Sequence, residues 1–416
     1  MIVRIIADFH IHTKYSRATS ADMDLDHIAI FADKKGINVV GTGDFTHPKW
    51  FSELESRLEE AEQGLYKIKG SDYKVRFILS SEISNIYTKN GKCRKIHSVI
   101  LMPSLKSVKE FNRRLALIGN IASDGRPIIG MDVKDLLSLS LEIDKKSIFI
   151  PAHIWTPWFS LFGSMSGFDT IEECFEELTP FVKVCETGLS SDPLMNWRLS
   201  QLDNITLISN SDSHSGEKLG REANVFDIDL SYDEIYDTLM NKNSKKLLYT
   251  IEFYPEEGKY HYDGHRDCKI NLDPVESNKL GNICPACNKK LTVGVLNRVE
   301  KLADRSIEEA KKFGTIPFKS LMPLKEIIAD LYNLKSASKR IDVLYDSLIN
   351  KFGTEFGILL DTSLEELIKA GFEDIGQCIE NVRKGEVTKI PGYDGEYGVI
   401  KIKEIKQPIN TKLWSL

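Results

Sequence analysis

The chain has 416 residues, is 42% hydrophobic and 28% charged, and carries a formal net charge of −6. That composition describes a globular protein with a sizeable core, longer than one ordinary domain. It excludes a chain built around apolar helices of membrane-spanning length and argues against a broadly basic, nucleic-acid-coating surface. The charge is uneven, however: residues 265–351 hold 16 Lys and Arg against 11 Asp and Glu, and the remainder is strongly acidic. Seven thinly spread cysteines do not suggest a disulfide framework, so the expected compartment is reducing and cytoplasmic. Arg4 and Asp8 interrupt the first apolar stretch, which therefore reads as neither signal peptide nor anchor.

From residue 1 to about 255, short apolar runs alternate with helical patterns. Expected strands are Ile2–Ala7, Ile37–Val40, Arg76–Leu79, His97–Met102, Ile148–Ala152, Val182–Cys185, Ile205–Ser209 and Leu247–Phe253. Expected helices are Asp26–Lys35, Phe51–Gln63, Ser107–Leu117, Val133–Leu139 and Tyr232–Met240. This alternation predicts an α/β fold with a mainly parallel sheet, closed or nearly closed as a barrel. In such barrels reactive groups follow the strands.

Here they do so repeatedly. Asp8-x-His10-x-His12 follows the first strand, and in an extended chain its alternate side chains point to one side. Asp44 and His47 follow the second strand, Glu82 the third, His153 the fifth and Glu186 the sixth; His97 opens the fourth. Ser211-Asp212-Ser213-His214 follows the run Ile205–Ser209. A single histidine at a strand end is usually structural, but so many strand ends offering His, Asp or Glu predict a cluster of Zn²⁺, Mn²⁺ or Fe-type ions. His27, inside a predicted helix, is expected to be structural.

Residues 256–294 change character. His265-x-x-Cys268 and Cys284-Pro-Ala-Cys287 have the spacing of a structural zinc site, with His261 as a competing fourth ligand. From about 295 the chain reads as mainly helical, with helices over Arg298–Phe313, Leu324–Leu334 and Ser336–Phe352. A capping box is expected at Thr362–Glu365, and a Pro391–Gly395 turn before the strand Val399–Ile402.

The motifs Asp8-x-His10-x-His12, Gly43-Asp44, Glu82, His97, His153 and Asp212-x-His214 resemble the polymerase-and-histidinol-phosphatase (PHP) family of metal-dependent phosphoesterases, over roughly residues 1–255. The resemblance implies a distorted (βα)7-type PHP barrel, followed by a zinc-binding module (256–294) and a helical, DNA-binding C-terminal domain (295–416). Within that family, Pro151–Gly163, Glu186–Pro193, Tyr260–Arg266 and Gly294–Glu300 are most similar to the endonuclease Q group of DNA-repair nucleases. What this implies is hydrolysis of the phosphodiester bond 5′ of deaminated bases (uracil, hypoxanthine, xanthine) or abasic sites. One metal would be held by His10, His12, Glu82 and Asp212, and a second by Glu82, His97 and His153. A third would use His214 with Asp44, and His47 as a further candidate. Catalytic roles fall to Asp8, Glu82, Asp212 and His214, with Asp8 orienting a ligating histidine. The implied cofactors are structural Zn²⁺ at His265, Cys268, Cys284 and Cys287, and Zn²⁺ with Mg²⁺ or Mn²⁺ at the active site.

Candidate substrate contacts are Lys14, Arg17 and Arg221 for phosphate, Trp155, Trp158, Phe159 and Phe168 for stacking, and Asp192. Trp155 and Trp158 are expected to be exposed. The implied partner is lesion-bearing DNA, with no membrane and with unspecified repair or replication proteins. A phosphatase acting on a small phosphate monoester is the alternative enzyme, and a non-catalytic DNA-binding protein the alternative class.

Overall fold

The computed structural model describes residues 4–403, so Ile2 and Val3 of the first expected strand lie outside the described residues. From there the expected apolar runs form strands close to where they are expected, and other strands form between them where none is expected. These are β1 (Ile5–Asp8), β2 (Val39–Gly41), β3 (Leu58–Glu62), β4 (Leu65–Ile68), β5 (Arg76–Lys89), β6 (Lys92–Met102), β7 (Ile128–Ile129), β8 (Ile148–Pro151), β9 (Val184–Glu186), β10 (Thr206–Ile208), β11 (Ala223–Phe226) and β12 (Leu247–Glu252). Further on come β13 (Asp263–His265), β14 (Ile270–Leu272), β15 (Phe318–Ser320), β16 (Val387–Ile390) and β17 (Val399–Ile402).

One sheet runs β15-β12-β11-β1-β2-β5-β4-β3, with β6 and β7 joined to β5 and β8 joined to β6. Its pairing is mixed rather than mainly parallel. β1/β2, β2/β5 and β12/β15 are parallel, whereas β11 is antiparallel to both β1 and β12, and β5/β6 and β6/β8 are antiparallel. For β5/β6 and β3/β4 local hairpins are the reason. Asn90 and Gly91 sit at φ 53° and 72°, the left-handed pair that a two-residue hairpin turn requires. So short a connection leaves only antiparallel pairing for β5 and β6. A second hairpin at Gln63-Gly64 folds β4 back on β3, and this shortens the expected helix Phe51–Gln63 to Pro48–Arg57.

Helices cover the sheet with one apolar face each. In the helix Leu25–Lys35, capped by the Asp24 carboxylate, Leu25, Ile28, Ala29 and Ala32 are buried at helical spacing. β9 and β10 pair parallel with each other, apart from the large sheet. They still share its interior: Val184 and Ile208 belong to one buried cluster with Ile5, Ala7, Val39, Ile78, Val99, Ile150 and Phe226. Alternate residues of these strands point into this cluster, which fixes which side chains at the strand ends face each other.

The C-terminal third is helical and interlocked with the rest. β15 extends the large sheet beside β12, and Arg298 donates to the carbonyls of Phe162 and Phe168. The expected helix Arg298–Phe313 is split into Val295–Leu302 and Ile307–Ala310, because Ser306 starts a new helix through a capping box with Glu309. The capping box expected at Thr362–Glu365 falls one residue later, between Ser363 and Glu366.

Candidate metal centre

β1 delivers His10 and His12, β5 Glu82, β6 His97, and the loops after β8 and β10 deliver His153 and Asp212. Glu82 is the hub. Its Oε2 lies 3.5 Å from His10 Nε2 and 3.1 Å from His12 Nε2, and Asp212 Oδ1 lies 3.6 and 3.1 Å from the same two atoms. Its Oε1 lies 2.6 Å from His97 Nδ1 and 3.1 Å from His153 Nε2. Two groups of converging donors result, one of His10, His12, Glu82 and Asp212, the other of Glu82, His97 and His153. Glu82 and all four histidines are buried. His10 Nε2, His12 Nε2 and Asp212 Oδ1 are enclosed without hydrogen-bond partners.

The surroundings hold these donors in place. His10 Nδ1 lies 3.0 Å from both Glu186 oxygens, and Glu186 also accepts from the His153 N–H (2.9 Å) and from Asn210 Nδ2 (2.9 Å). With Nδ1–H held by a carboxylate, Nε2 of His10 turns its lone pair towards Glu82 and Asp212. Asp44 does the same for His12 at 3.2 Å, while its other oxygen accepts from the Thr13 N–H and the Thr13 and Ser16 hydroxyls. Asp44, His153 and Asp212 sit at φ 47°, 31° and 45°, left-handed backbone that side chains other than Gly seldom adopt. Three such turns at one mouth store strain where the donors meet. Burial alone would push the His10 imidazole down, but Glu186, Glu82 and Asp212 outweigh it and hold it well up, a field that favours any cation. Burial pushes His97 down to about 4 despite Glu82, leaving a neutral ring.

Several expected roles change. Asp8 orients no histidine: its carboxylate accepts from the backbone N–H groups of Ser211 (3.0 Å) and Gly220 (2.9 Å), pinning the Asp212 loop to β1. Asp8 is the last residue of β1, and His10 and His12 lie beyond the strand's end, where the chain no longer holds Asp8 to their side. Asp44 belongs to His12 rather than to an independent site. Among the described residues, neither Asp44, His47 nor His214 falls within a group of three or more converging donors. His47 stacks on Tyr15 with ring centroids 4.4 Å apart. His214 lies against His12 (4.5 Å), with Nδ1 3.0 Å from the Asp212 carbonyl oxygen, and burial lowers its pKa.

Trp155 is only 1% exposed, its indole N–H donating to Asn196 Oδ1 (2.8 Å), so it is core and not a surface ring. Phe168 is equally buried, under the Arg94 guanidinium. Trp158 is 40% exposed, and Phe159 packs on His97 at 4.6 Å. Lys14 pairs with Glu53, and the exposed Arg17 with Asp124. Arg221 is committed to the carbonyls of Ser211 and Asp212, and Asp192 caps the helix Pro193–Asn196. Two residues that matter here had no assigned role. Glu186 was visible as an acid at a strand end; Arg126, 3.1 Å from Glu82 Oε2 with its side chain 29% exposed, gave no signal at all.

In a separate group, His265, Cys268, Cys284 and Cys287 place one donor atom each within 4.8 Å of one another. His261 is not among them. Cys284 N–H donates to the Lys289 carbonyl, closing the second knuckle, with Asn288 at φ 60°. Asp263 anchors the segment to the next helix, accepting from Gly294 N–H (2.6 Å) and Asn297 Nδ2 (2.5 Å).

Residues 323–386 match the family described as the MJ0043 C-terminal domain. The chain is 31% identical to the uncharacterized protein MJ0043 of Methanocaldococcus jannaschii over 291 residues, a match covering 67% of this chain and 36% of that relative. It is 28% identical to the uncharacterized protein YqxK of Bacillus subtilis, covering 96% and 99% of the two chains. Among solved structures, it superposes on the lesion-specific endonuclease PfuEndoQ of Pyrococcus furiosus with a TM-score of 0.85, 31% identity and 96% of each chain covered. A complex of endonuclease Q with a 27-mer duplex bearing an abasic lesion at its active site gives 0.83 and 30%, over 96% of this chain and 97% of that one.

Proposed function

The chain belongs to the endonuclease Q family, and from that premise we propose that it is a PHP-type, metal-dependent endodeoxyribonuclease. Its substrate would be DNA containing uracil, hypoxanthine, xanthine or an abasic site, cut at the phosphodiester bond on the 5′ side of the lesion. The observation that carries this reading is the shared Glu82 carboxylate, with two donor groups on its two oxygens. Imidazole and carboxylate donors, three of them enclosed without a partner, fit divalent ions of the Zn²⁺, Mn²⁺ or Mg²⁺ kind. His10, His12, Glu82 and Asp212 would hold one ion, and Glu82, His97 and His153 another. Bound ions supply Lewis acidity, neutralising charge on a phosphate and making water more acidic.

The chain's own residues do the positioning. Glu186 and Asp44 fix the two histidines of β1, and Asp8 and Arg221 fix the Asp212 turn. Arg126 reaches the mouth beside Glu82 and would meet a phosphate oxygen. His214 keeps its Nδ1–H on the Asp212 carbonyl, so its Nε2 is free to give or take a proton at a reacting oxygen. Trp158 and Phe159 border the same mouth and would stack on an exposed base. The fold is read as a distorted PHP barrel over residues 1–255, its inner strands sharing one core although β9 and β10 pair apart. The zinc segment (256–294, with one Zn²⁺ on His265, Cys268, Cys284 and Cys287) and the C-terminal domain (295–416, helical over much of 295–403, with 404–416 outside the described residues) would grip DNA.

End-labelled DNA with a single uracil or abasic site, incubated with Mg²⁺ or Mn²⁺, tests the proposal. A nick on the 5′ side of the lesion is expected. Turnover of a small phosphate monoester without any nick would replace the nuclease by a phosphatase, and binding without either would remove catalysis.

A further inference from the structure

The loop after β8, the approach to the zinc segment and the turn between β16 and β17 are far apart in sequence yet meet beside the metal centre. Trp158 comes from the first, Lys259, Tyr260 and Arg266 from the second, and Tyr397 from the third. The Trp158 and Tyr260 rings meet edge to face, centroids 6.0 Å apart and planes at 74°. Trp158 is 40% exposed and Tyr397 71% exposed, with the Lys259 ammonium 4.5 Å over the Tyr397 ring.

Backbone hydrogen bonds tie the scaffold beneath these rings together; Trp158 and Tyr397 are exposed and Tyr260 is half-buried. Gly392 N–H donates to the Glu256 carbonyl (2.8 Å), Tyr262 N–H to Gly392 (2.9 Å), Gly395 N–H to Lys259 (2.9 Å) and Gly398 N–H to Glu257 (3.0 Å). A Cβ on Gly398 would lie 2.0 Å from the Glu256 carbonyl oxygen, so that close approach needs glycine. Arg266 is tied by its own N–H to Asp394 (2.7 Å), while its guanidinium, 57% exposed, has Glu396 at 4.0 Å. The platform also joins the metal centre. Thr156 Oγ1 lies 3.3 Å from His153 Nδ1 and 2.9 Å from the Trp158 carbonyl oxygen, so Trp158 is two hydrogen bonds from a converging histidine.

Exposed rings interleaved with long cations are what unpaired nucleotides need, since every base has a face to stack and every linkage a charge to meet. We infer that Trp158, Tyr260 and Tyr397, with Lys259 and Arg266, form a stacking platform for unpaired bases of the strand entering the metal centre. This rests on the nucleic-acid reading of that centre and adds a task for the zinc segment: it holds Tyr260 against Trp158. Flat rings fit bases better than they fit a paired duplex, whose bases present only edges.

The test is binding, without chelator and with Ca²⁺ in place of Mg²⁺ or Mn²⁺ so that the zinc segment stays intact, of two fluorescent oligomers of equal length, one of thymidine and one of base-free abasic units, to the full chain. Stacking is sequence-tolerant but needs a base. Trp158→Ala and Tyr260→Ala should each weaken thymidine-oligomer binding about tenfold and leave base-free binding within about twofold, and Trp158→Phe should restore most of the loss. Lys259→Ala should weaken both oligomers alike and flatten the salt dependence. Equal affinity of Trp158→Ala and wild type for the thymidine oligomer would overturn the platform alone. Wild type binding neither oligomer would overturn the nucleic-acid reading with it.

Discussion

The protein has two places that suit metal ions, and they are built in opposite ways. The four donors of the zinc segment lie within 22 residues of one another, on turns joined by a short hairpin. The donors around Glu82 come from the interiors of β5 and β6 and from just beyond β1, β8 and β10, and His10 and Asp212 are 202 positions apart. The first is a local clip, and an ion held there would help to make the structure. The second is assembled by the core and held by a surrounding set of hydrogen bonds. One ion would therefore act mainly on stability, the others mainly on chemistry.

The largest expected effect sharpens the second half of that contrast. Glu82→Gln removes the charge shared by both donor groups and should abolish lesion cleavage. Calorimetry should show the variant still folded, because the interior cluster is untouched; substantial remaining activity would detach catalysis from Glu82. The mirror experiment is Cys284→Ser or prolonged chelation. Hydrogen exchange should then rise across residues 256–294 while β1, β5 and β6 stay protected. A global loss of protection would mean that the zinc segment is not merely a local clip.

Next in size is the orienting carboxylate. Glu186→Gln should cost about 10–100-fold in ion affinity or turnover, since it disturbs His10 without removing a ligand. Titration with Mn²⁺ followed by electron paramagnetic resonance would measure it. Trp155→Ala speaks to stability instead: emptying so buried a site should cost about 3–5 kcal/mol in denaturant unfolding, whereas Trp158→Ala should cost little.

The smallest expected effect concerns pH. Burial pushes the Glu252 carboxyl up to about 7, against the hydroxyls of Ser209, Thr250 and Thr187, and pushes Glu222 well up with Glu252 beside it. A raised folded-state value means the native chain holds more protons than the unfolded one. Their contribution is thus complete below the ordinary carboxylate range and is lost as pH rises through about 7. Thermal unfolding between pH 5 and pH 8 should show this decline, and Glu252→Gln should flatten it.

Sequence patterning revealed the strand ends well, and the reason is physical. A His-x-His pair after a β-branched run points both rings one way, and a Cys-x-x-Cys knuckle is legible because its ligands are neighbours. Pairing partners across the fold were less visible. Asp8 looked like a third member of the His10–His12 set, but its strand ends there and its carboxylate serves the Asp212 loop. Trp155 and Trp158 have similar flanks, yet one finds Asn196 inside and the other faces solvent; nothing local distinguishes them. The antiparallel β5/β6 hairpin was written in Asn90-Gly91, a turn signal that the apolar runs overshadowed. Arg126 had no signal, because a lone arginine in a loop is ordinary until the fold sets it beside a buried glutamate.

Diffraction from crystals grown with Mn²⁺, with anomalous data at the manganese and zinc edges, bears most directly on the central claim. Two peaks should flank Glu82, one within ligand distance of His10, His12 and Asp212 and the other of His97 and His153, and a zinc peak should lie among His265, Cys268, Cys284 and Cys287. Strand cleavage by a protein whose maps show no ion on either oxygen of Glu82 would contradict the account.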